Sequence, residues 1–336
     1  MRFVDFAPLA RRVSAIGFGC GPLGSRITAG NGARSLGRAY DAGVSWFDVA
    51  PSYGDGQAEG LLGRFLQGKR SQAAICTKVG ILPCRISLSM RIAKPVVQRA
   101  LSLFPGLRNQ VVKLRPPAQR VALTGLLIES SIVESLQRLK TDYVDVLALH
   151  EPALADLQRD DVLRALENVV GKGYARTISV AGDLDVALAS VPLSERFTIV
   201  QVANSPFDRN MELAKAKLPT RTDVRFVTHS VYGYHRCLDA LAQTISKEPS
   251  KLDLMESAGY RGTPREAAAA LLLDFSLASN PDGVVLLSMY QKAHLAFNLA
   301  RLAAPPPPEV TLGLASRLVP QRGLTAATEK AAAFPQ

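Results

Sequence analysis

Ser135-Leu136-Gln137-Arg138-Leu139-Lys140-Thr141-Asp142-Tyr143-Val144-Asp145-Val146-Leu147-Ala148-Leu149-His150 carries the information that decides the fold. It completes an amphipathic run over 129–139, turns, and enters a short, mostly apolar run over 144–150. A run without regular polar alternation suits a strand buried on both faces, as in a parallel sheet covered by helices. The same unit recurs along the chain. Strands are predicted at 13–18, 45–48, 73–78, 144–150, 176–181, 199–202, 224–228 and 283–287. Helices are predicted at 33–42, 57–67, 129–139, 160–170, 184–189, 211–217, 236–245, 264–279 and 291–302. Gly43 follows the first helix, and Thr263-Pro264 with Glu266 supplies a cap, a first-position proline and a first-turn carboxylate. Eight strands, each followed by a helix, predict an α/β fold of the closed (β/α)8 TIM-barrel type; a doubly wound open sheet is the competing arrangement.

The expected barrel is a single domain over 1–304. Two segments break its alternation. One is a long insertion, 83–125, between the third strand and its helix; connections of this length are usually functional, as lids are, or disordered. The other is a C-terminal tail, 305–336, entered through Pro305-Pro306-Pro307-Pro308, which ends the preceding helix.

Of 336 residues, 47% are hydrophobic and 21% charged, enough for a large core and against disorder as the main state. No apolar run reaches the ~18 residues that span a bilayer. The N-terminus lacks a signal-like apolar stretch. Cys20, Cys76, Cys84 and Cys237 are scattered and form no C-x-x-C pair, which argues against a disulfide scaffold or a zinc site. A cytoplasmic setting is expected, with no metal.

The formal net charge is +11. It is local. Between Glu59 and Glu129 there are twelve Lys and Arg and no acidic residue, while the rest of the chain nets −1. The excess therefore sits on a segment that leaves the C-terminal end of the third strand, where it would attract an anionic cofactor, substrate, carrier or lipid surface. Nucleic acid is disfavoured, because no motif or aromatic platform accompanies the charge.

Gly19-Cys20-Gly21-Pro22-Leu23-Gly24 matches G-x-G-x-x-G after a predicted strand, with Asp48 ending the next one. That is the pattern of a dinucleotide-binding βαβ unit. The glycines do not open a helix, however, because 25–32 intervenes. A glycine-rich loop at a barrel mouth is the better reading.

Four residues lie at or beyond strand ends: Asp48 after the second, Tyr53 in the following loop, Lys78 at the end of the third and His150 at the end of the fourth. In a barrel these ends converge on one mouth. Tyrosine is a poor acid at neutral pH, and a nearby ammonium stabilises its phenolate. A carboxylate would orient that ammonium, and a histidine would orient a carbonyl. Together the set could protonate a carbonyl oxygen while hydride arrives at carbon. Each residue alone is more often structural or solvated; the combination is what points to chemistry.

Trp46-Phe47-Asp48-Val49-Ala50-Pro51-Ser52-Tyr53-Gly54 with Ala58-Glu59-Gly60-Leu61-Leu62-Gly63, Ile75-Cys76-Thr77-Lys78-Val79-Gly80, and residues 135–150 resemble the three signature blocks of the aldo-keto reductases. The likeness runs from about Val13 to Asn298 and weakens after Gln201. The stretch 50–56 is similar to bacterial sugar and pyridoxal dehydrogenase branches. The resemblance implies a barrel that binds NADP(H), or NAD(H), without a Rossmann domain. It makes Tyr53 the general acid, Lys78 and Asp48 the groups that tune it, and His150 the carbonyl-positioning group. The substrate implied is a small carbonyl or alcohol, which the basic segment would favour as an anion.

The sequence departs from the family around the cofactor. The Ser-Asn that holds the nicotinamide carboxamide is replaced by Ala181-Gly182. Gln201 matches the glutamine that shares this task, with Asn204 as a helper. His229 stands where an aromatic stacks on the nicotinamide. The phosphate loop reads Ser288-Met289-Tyr290-Gln291-Lys292, with Asn298 beyond it and no arginine at the usual place. Ser288, Lys292 and Asn298 are its candidate contacts. These departures leave a second reading open: a repurposed, non-catalytic barrel docking an acidic partner or membrane through 83–125. Within that segment, 89–104 could form a basic amphipathic helix.

Overall fold

The computed structural model describes residues 1–83, 119–218, 220–233 and 236–319. Eight parallel strands close into a barrel in chain order: β1 (Ile16–Gly19), β2 (Trp46–Asp48), β3 (Ala74–Val79), β4 (Val144–His150), β5 (Ala175–Ala181), β6 (Phe197–Ala203), β7 (Arg225–His229) and β8 (Val284–Leu287). Closure is explicit where β8 meets β1, with Val285 opposite Ile16 and Leu287 opposite Phe18. An open sheet is thereby excluded. The main crossover helices are α1 (Ala29–Asp41), α2 (Ala58–Leu66), α3 (Gly125–Leu139), α4 (Asp160–Gly171), α5 (Leu184–Ser190), α6 (Asn210–Lys217), α7 (Pro264–Ser279) and α8 (Lys292–Ala303). Side chains fill the barrel interior and helices cover its outside, so β4 is buried along almost its whole length.

The predicted strand 13–18 is two elements. Arg11–Ser14 pairs antiparallel with Phe3–Phe6, Val13 opposite Val4, and the barrel strand begins at Ile16. Ala15 is the joint: its N–H donates to the Arg2 carbonyl at 2.9 Å, and its carbonyl accepts from the Val285 N–H at 2.9 Å. A continuous apolar run conceals that change of partner. Phe6 meets Trp46 edge-on at 5.1 Å, so the hairpin closes the N-terminal end of the barrel.

Two helices start earlier than predicted because the cap, not the apolar stripe, sets the start. Thr28 accepts from the Asn31 N–H at 3.4 Å, ahead of glycines at 30 and 32. Thr124 accepts from the Leu127 N–H at 3.2 Å. Helices Pro249–Ser257 and Pro308–Leu318 were not foreseen. The proline run ends α8 at Ala303, and its last member then opens the next helix. That helix packs on α7, and its Thr311 hydroxyl lies 3.0 Å from Tyr260 Oη. Residues 320–336 are outside the described residues.

Ile81–Leu82 pairs antiparallel with Gln119–Arg120, so both ends of the basic insertion are anchored in one short ladder beside β3. Residues 84–118, including the lid and the 89–104 helix expected from sequence, lie outside the described residues. Among the described residues, no helix is long and apolar enough to cross a membrane.

At the N-terminal end of the barrel, Asp145 of β4 is fully buried. It accepts from Arg70 Nη2 at 2.8 Å and from the Ile75 N–H at 2.9 Å. Arg176 and Arg11 stand 3.6 and 3.9 Å from its other oxygen. The guanidinium carbons of Arg70 and Arg176 lie over the Tyr143 ring, 4.0 and 4.7 Å from its centroid. One carboxylate thus joins the N-terminal hairpin, the turn before β3, β4 and β5.

Candidate active site

The strand register brings the predicted residues to one rim. Asp48 lies opposite Gly19 on one side and Cys76 on the other. Lys78 lies opposite Ala148, His150 opposite Ala181, Ala181 opposite Gln201 and Ala203 opposite His229. Tyr53 comes from the loop after β2, where its N–H donates to the Ala50 carbonyl at 3.1 Å. Gly54 makes that loop possible. Its φ is +61°, its N–H donates to the Gly21 carbonyl at 3.0 Å, and a Cβ there would stand 1.7 Å from the Leu23 carbonyl oxygen. The Tyr53 turn therefore presses against the glycine loop after β1. That loop is not helical, and α1 begins only at Ala29, so the G-x-G-x-x-G stretch does not open a helix.

Lys78 is buried, donates to Asp48 Oδ1 and, at 3.2 Å, to the Val49 carbonyl. Its Nζ is 4.7 Å from the centre of the Tyr53 ring. Tyr53 and His150 meet edge-on, with centroids 5.8 Å apart. Burial opposes the charge on Lys78, but Asp48, Tyr53 and Cys76 outweigh it and hold the ammonium above the ordinary lysine range. His150 is pushed down to about 2, by burial first and then by Lys78, His229 and Arg120. His229 is pushed down to about 4, chiefly by burial, with Asp48 opposing and Lys78 assisting. Among the described residues, the buried Lys78 ammonium therefore stands as a fixed cation beside two neutral imidazoles.

This has a pH consequence. Both imidazoles resist protons in the fold but take them near pH 6.5 when unfolded. Where the unfolded state binds more protons, stability rises with pH, so it should fall as pH drops below about 6.5. The slope is up to ~1.4 kcal/mol per pH unit for each ring. Below about pH 4 only His150 continues to contribute. Urea midpoints at pH 7 and pH 5 measure this, and His229→Asn should make the slope shallower. Equal midpoints for the parent protein would mean that both rings protonate inside the fold.

The expected cofactor residues separate into groups. Gln201 is buried and donates from Nε2 to Asp48 Oδ2 at 3.0 Å, while its Oε1 lies 3.8 Å from Cys76 Sγ. His229 is half-buried, with Nδ1 2.9 Å from Ser230 Oγ. Ser288 is exposed directly after β8, and Lys292 is exposed at the first position of α8. Asn298 is buried in the second turn of that helix. Asn204 is not at the mouth surface as a helper would be. It is fully buried, donates to Ser279 Oγ at 2.8 Å and accepts from the Met211 N–H at 3.1 Å, so it fastens the end of β6 to α6 and α7. Gly182 has a steric reason. A Cβ at 182 would stand 3.1 Å from the Glu151 Cα, in a stretch where Glu151 itself has a φ of +51°.

Sequence reasoning missed three contributors. Cys76 lies two residues before Lys78 and so on the same face of β3, which strand alternation could have revealed. Glu59 is buried within a signature block, accepting from Thr77 Oγ1 and Arg138 Nε, each at 2.6 Å, behind β3. Tyr290 donates to the Gly19 carbonyl at 3.3 Å, and its own carbonyl is held by Ser35 Oγ at 2.7 Å and Arg38 Nη2 at 3.0 Å. No spacing in the sequence signals that pairing of β1 and α1 with the loop after β8.

A model of the aldo/keto reductase family matches residues 15–305. The chain belongs to this family. Among curated members, D-threo-aldose 1-dehydrogenase from a Pseudomonas species is 31% identical over 199 residues, 57% of this chain and 56% of that protein. Pyridoxal 4-dehydrogenase from Microbacterium luteolum is 41% identical over 73 residues, 21% of each chain. This aldo/keto reductase thus spans about half the length of the first of these relatives and a fifth of the second. In three dimensions it superposes on an aldo-keto reductase from Klebsiella pneumoniae solved in complex with NADPH. The TM-score is 0.70 at 20% identity, covering 96% of both chains, a likeness of fold.

Proposed function

We propose that this aldo/keto reductase is an NADP(H)-dependent oxidoreductase that reduces an aldehyde or ketone, or oxidises the matching alcohol or lactol, with Tyr53 as general acid and base. The observation that carries this reading is the convergence of Asp48, Tyr53, Lys78 and His150 from three strands and one loop. NADPH in a complex with the Klebsiella fold neighbour supports the choice of nucleotide.

The residues present fit such a nucleotide unevenly. The N-terminus of α8 bears no side-chain cap bond, carries exposed Lys292 and follows exposed Ser288, which suits a phosphate group. The neutral His229 ring suits stacking. The carboxamide end has fewer partners, since Ala181 and Gly182 offer no side-chain donor and Gln201 is engaged by Asp48. When bound, the nicotinamide supplies or accepts the hydride. The chain's own residues handle the proton. The Tyr53 hydroxyl gives it to the carbonyl oxygen, and the Lys78 ammonium stabilises the phenolate left behind. Asp48 fixes that ammonium from beneath. His150, neutral and with a buried Nδ1 that has no hydrogen-bond partner among the described residues, orients the carbonyl. In the reverse direction the phenolate takes the alcohol proton.

For substrate, the curated relatives suggest an aldose lactol or a pyridoxal-like alcohol, and the basic insertion favours an anionic form. Its anchored end places Arg120 at the rim, paired there with Glu151.

A fluorescence titration with NADPH and NADH, followed by NADPH oxidation with a panel of aldehydes and ketones, tests the proposal. Saturable NADPH binding and carbonyl-dependent oxidation are expected, with NADH binding more weakly. Absence of nucleotide binding would favour the repurposed barrel instead.

A further inference from the structure

The short ladder that anchors the basic insertion grows out of β3. Ile81, three residues past Lys78, lies opposite Arg120, and the Val121 N–H donates to the Gly80 carbonyl at 3.0 Å. A Cβ on Gly80 would stand 3.0 Å from the His150 carbonyl oxygen, so the ladder starts in contact with the residue that orients the substrate carbonyl. Glu151 follows His150. Its N–H donates to the Ala181 carbonyl at 2.7 Å and its φ is +51°, which holds the main chain while the side chain reaches outward. Arg120 Nη2 donates to Glu151 Oε2 across the rim. The two charges are felt inside the mouth. Burial dominates the downward push on both imidazoles; Arg120 adds to it at His150, and Glu151 opposes it at His229.

This pair differs from the Lys78–Asp48 pair beneath it. The Lys78 and Asp48 side chains are 1% and 4% exposed, whereas those of Arg120 and Glu151 are 56% and 49% exposed. An ion pair in that setting contributes ~0.2–1 kcal/mol, so another carboxylate or a phosphate exchanges for Glu151 at little cost. The insertion holds no acid of its own, because residues 83–125 contain neither Asp nor Glu. The guanidinium presents a planar fork of N–H donors that fits either oxyanion.

We infer that Arg120 is a substrate-binding residue that selects carbonyl compounds bearing a carboxylate or phosphate, with Glu151 as the counter-ion that holds the guanidinium at the rim until such a group displaces it. This deepens the oxidoreductase reading and rests on it. Asp48, Lys78 and Gln201 are buried in the interior below the mouth, so a carbonyl held by Tyr53 and His150 has its remaining atoms directed outward. Arg120 flanks that exit on the side of β3 and β4. An anionic substituent there takes over the guanidinium, and the released Glu151 carboxylate is solvated at the rim. A neutral substituent leaves the pair closed.

The test compares aldehydes matched except for charge: para-carboxybenzaldehyde with its neutral amide, and glyceraldehyde phosphate with glyceraldehyde. The readout is the ratio of kcat/KM, charged over neutral, within each pair. Any influence of Arg120 on His150 acts on both members and cancels in that ratio. The parent protein should prefer the charged member, less so as salt is raised. Arg120→Gln should reduce the preference about tenfold, through the KM of the charged aldehyde, the size of one charge-assisted hydrogen bond. Arg120→Lys, which keeps the charge and loses the fork, should retain part of it. Glu151→Gln, which frees the guanidinium, should raise it by up to about fivefold. The pair with the larger Arg120-dependent ratio tells carboxylate from phosphate. No preference in the parent, or a loss below about threefold in Arg120→Gln for both pairs, overturns the inference and leaves the ion pair as a tie of the ladder. If the parent reduces no aldehyde, the oxidoreductase reading fails. Calorimetric titration with para-carboxybenzyl alcohol then still decides the anion site: binding about tenfold weaker in Arg120→Gln supports it, and equal or absent binding overturns it.

Discussion

Tyr53→Phe is expected to lower carbonyl turnover by ~10²–10⁴-fold, the usual contribution of a positioned general acid, while NADPH affinity stays within about twofold. The substitution removes one oxygen and keeps the ring. The ring is what meets His150 at 5.8 Å and lies over Lys78 at 4.7 Å, so the packing of the mouth is retained. Gly54 and the Ala50 carbonyl hold the turn through main-chain contacts that the hydroxyl does not influence. Proton delivery is therefore the function lost. Steady-state rates with the best aldehyde of the panel, together with a fluorescence titration, separate the two effects. Turnover within tenfold of the parent would remove Tyr53 from the role of acid and pass it to another group at the mouth.

The second large effect lies at the opposite end of the barrel. Asp145→Ala is expected to cost ~3–5 kcal/mol, the range for removing one partner of a buried ion pair. The carboxylate is fully buried, and its loss strips the Ile75 N–H of its acceptor. Arg70 would also remain, mostly covered, against the Tyr143 ring with no counter-charge. Arg176 and Arg11 are better solvated or more distant, so they account for less of the cost. Asp145→Asn keeps an acceptor for Ile75 and should lose less. Urea midpoints give the difference, and the folded fraction of either variant should retain the parent NADPH affinity, because this end of a barrel serves stability rather than chemistry. A change below about 1 kcal/mol for Asp145→Ala would mean that the arginines already hold this end without the carboxylate.

The legibility of this site follows from how local its signals are. Asp48, Lys78 and His150 each lie at a strand end, and Tyr53 shares one short segment with Asp48, so the strand-end rule gathers three of them and brings the fourth with it. Gln201 was found as a position but not as an orientation. The sequence places it at the end of β6, yet only the packed interior aims its amide at Asp48. Asn204 was misjudged for a related reason: three residues further on, the chain has left β6, and the side chain turns back to fasten α6 and α7. The hairpin at 3–14 and the helix Pro308–Leu318 were missed because each draws its stability from surfaces formed by residues distant in the chain.

Periodicity therefore gave eight strands each followed by a helix and placed four candidate residues at or just beyond strand ends, while the choice of a closed barrel over an open sheet was decided by the pairing of β8 with β1. The concentration of positive charge between Glu59 and Glu129 was equally plain from counting. Tertiary structure alone decided which partner each buried polar group took: Gln201 with Asp48, Tyr290 with Gly19, Asp145 with Arg70. A buried polar atom must find its complement among whatever the closed fold brings within about 3 Å, and that set is determined by register and packing across the whole barrel rather than by neighbours in sequence.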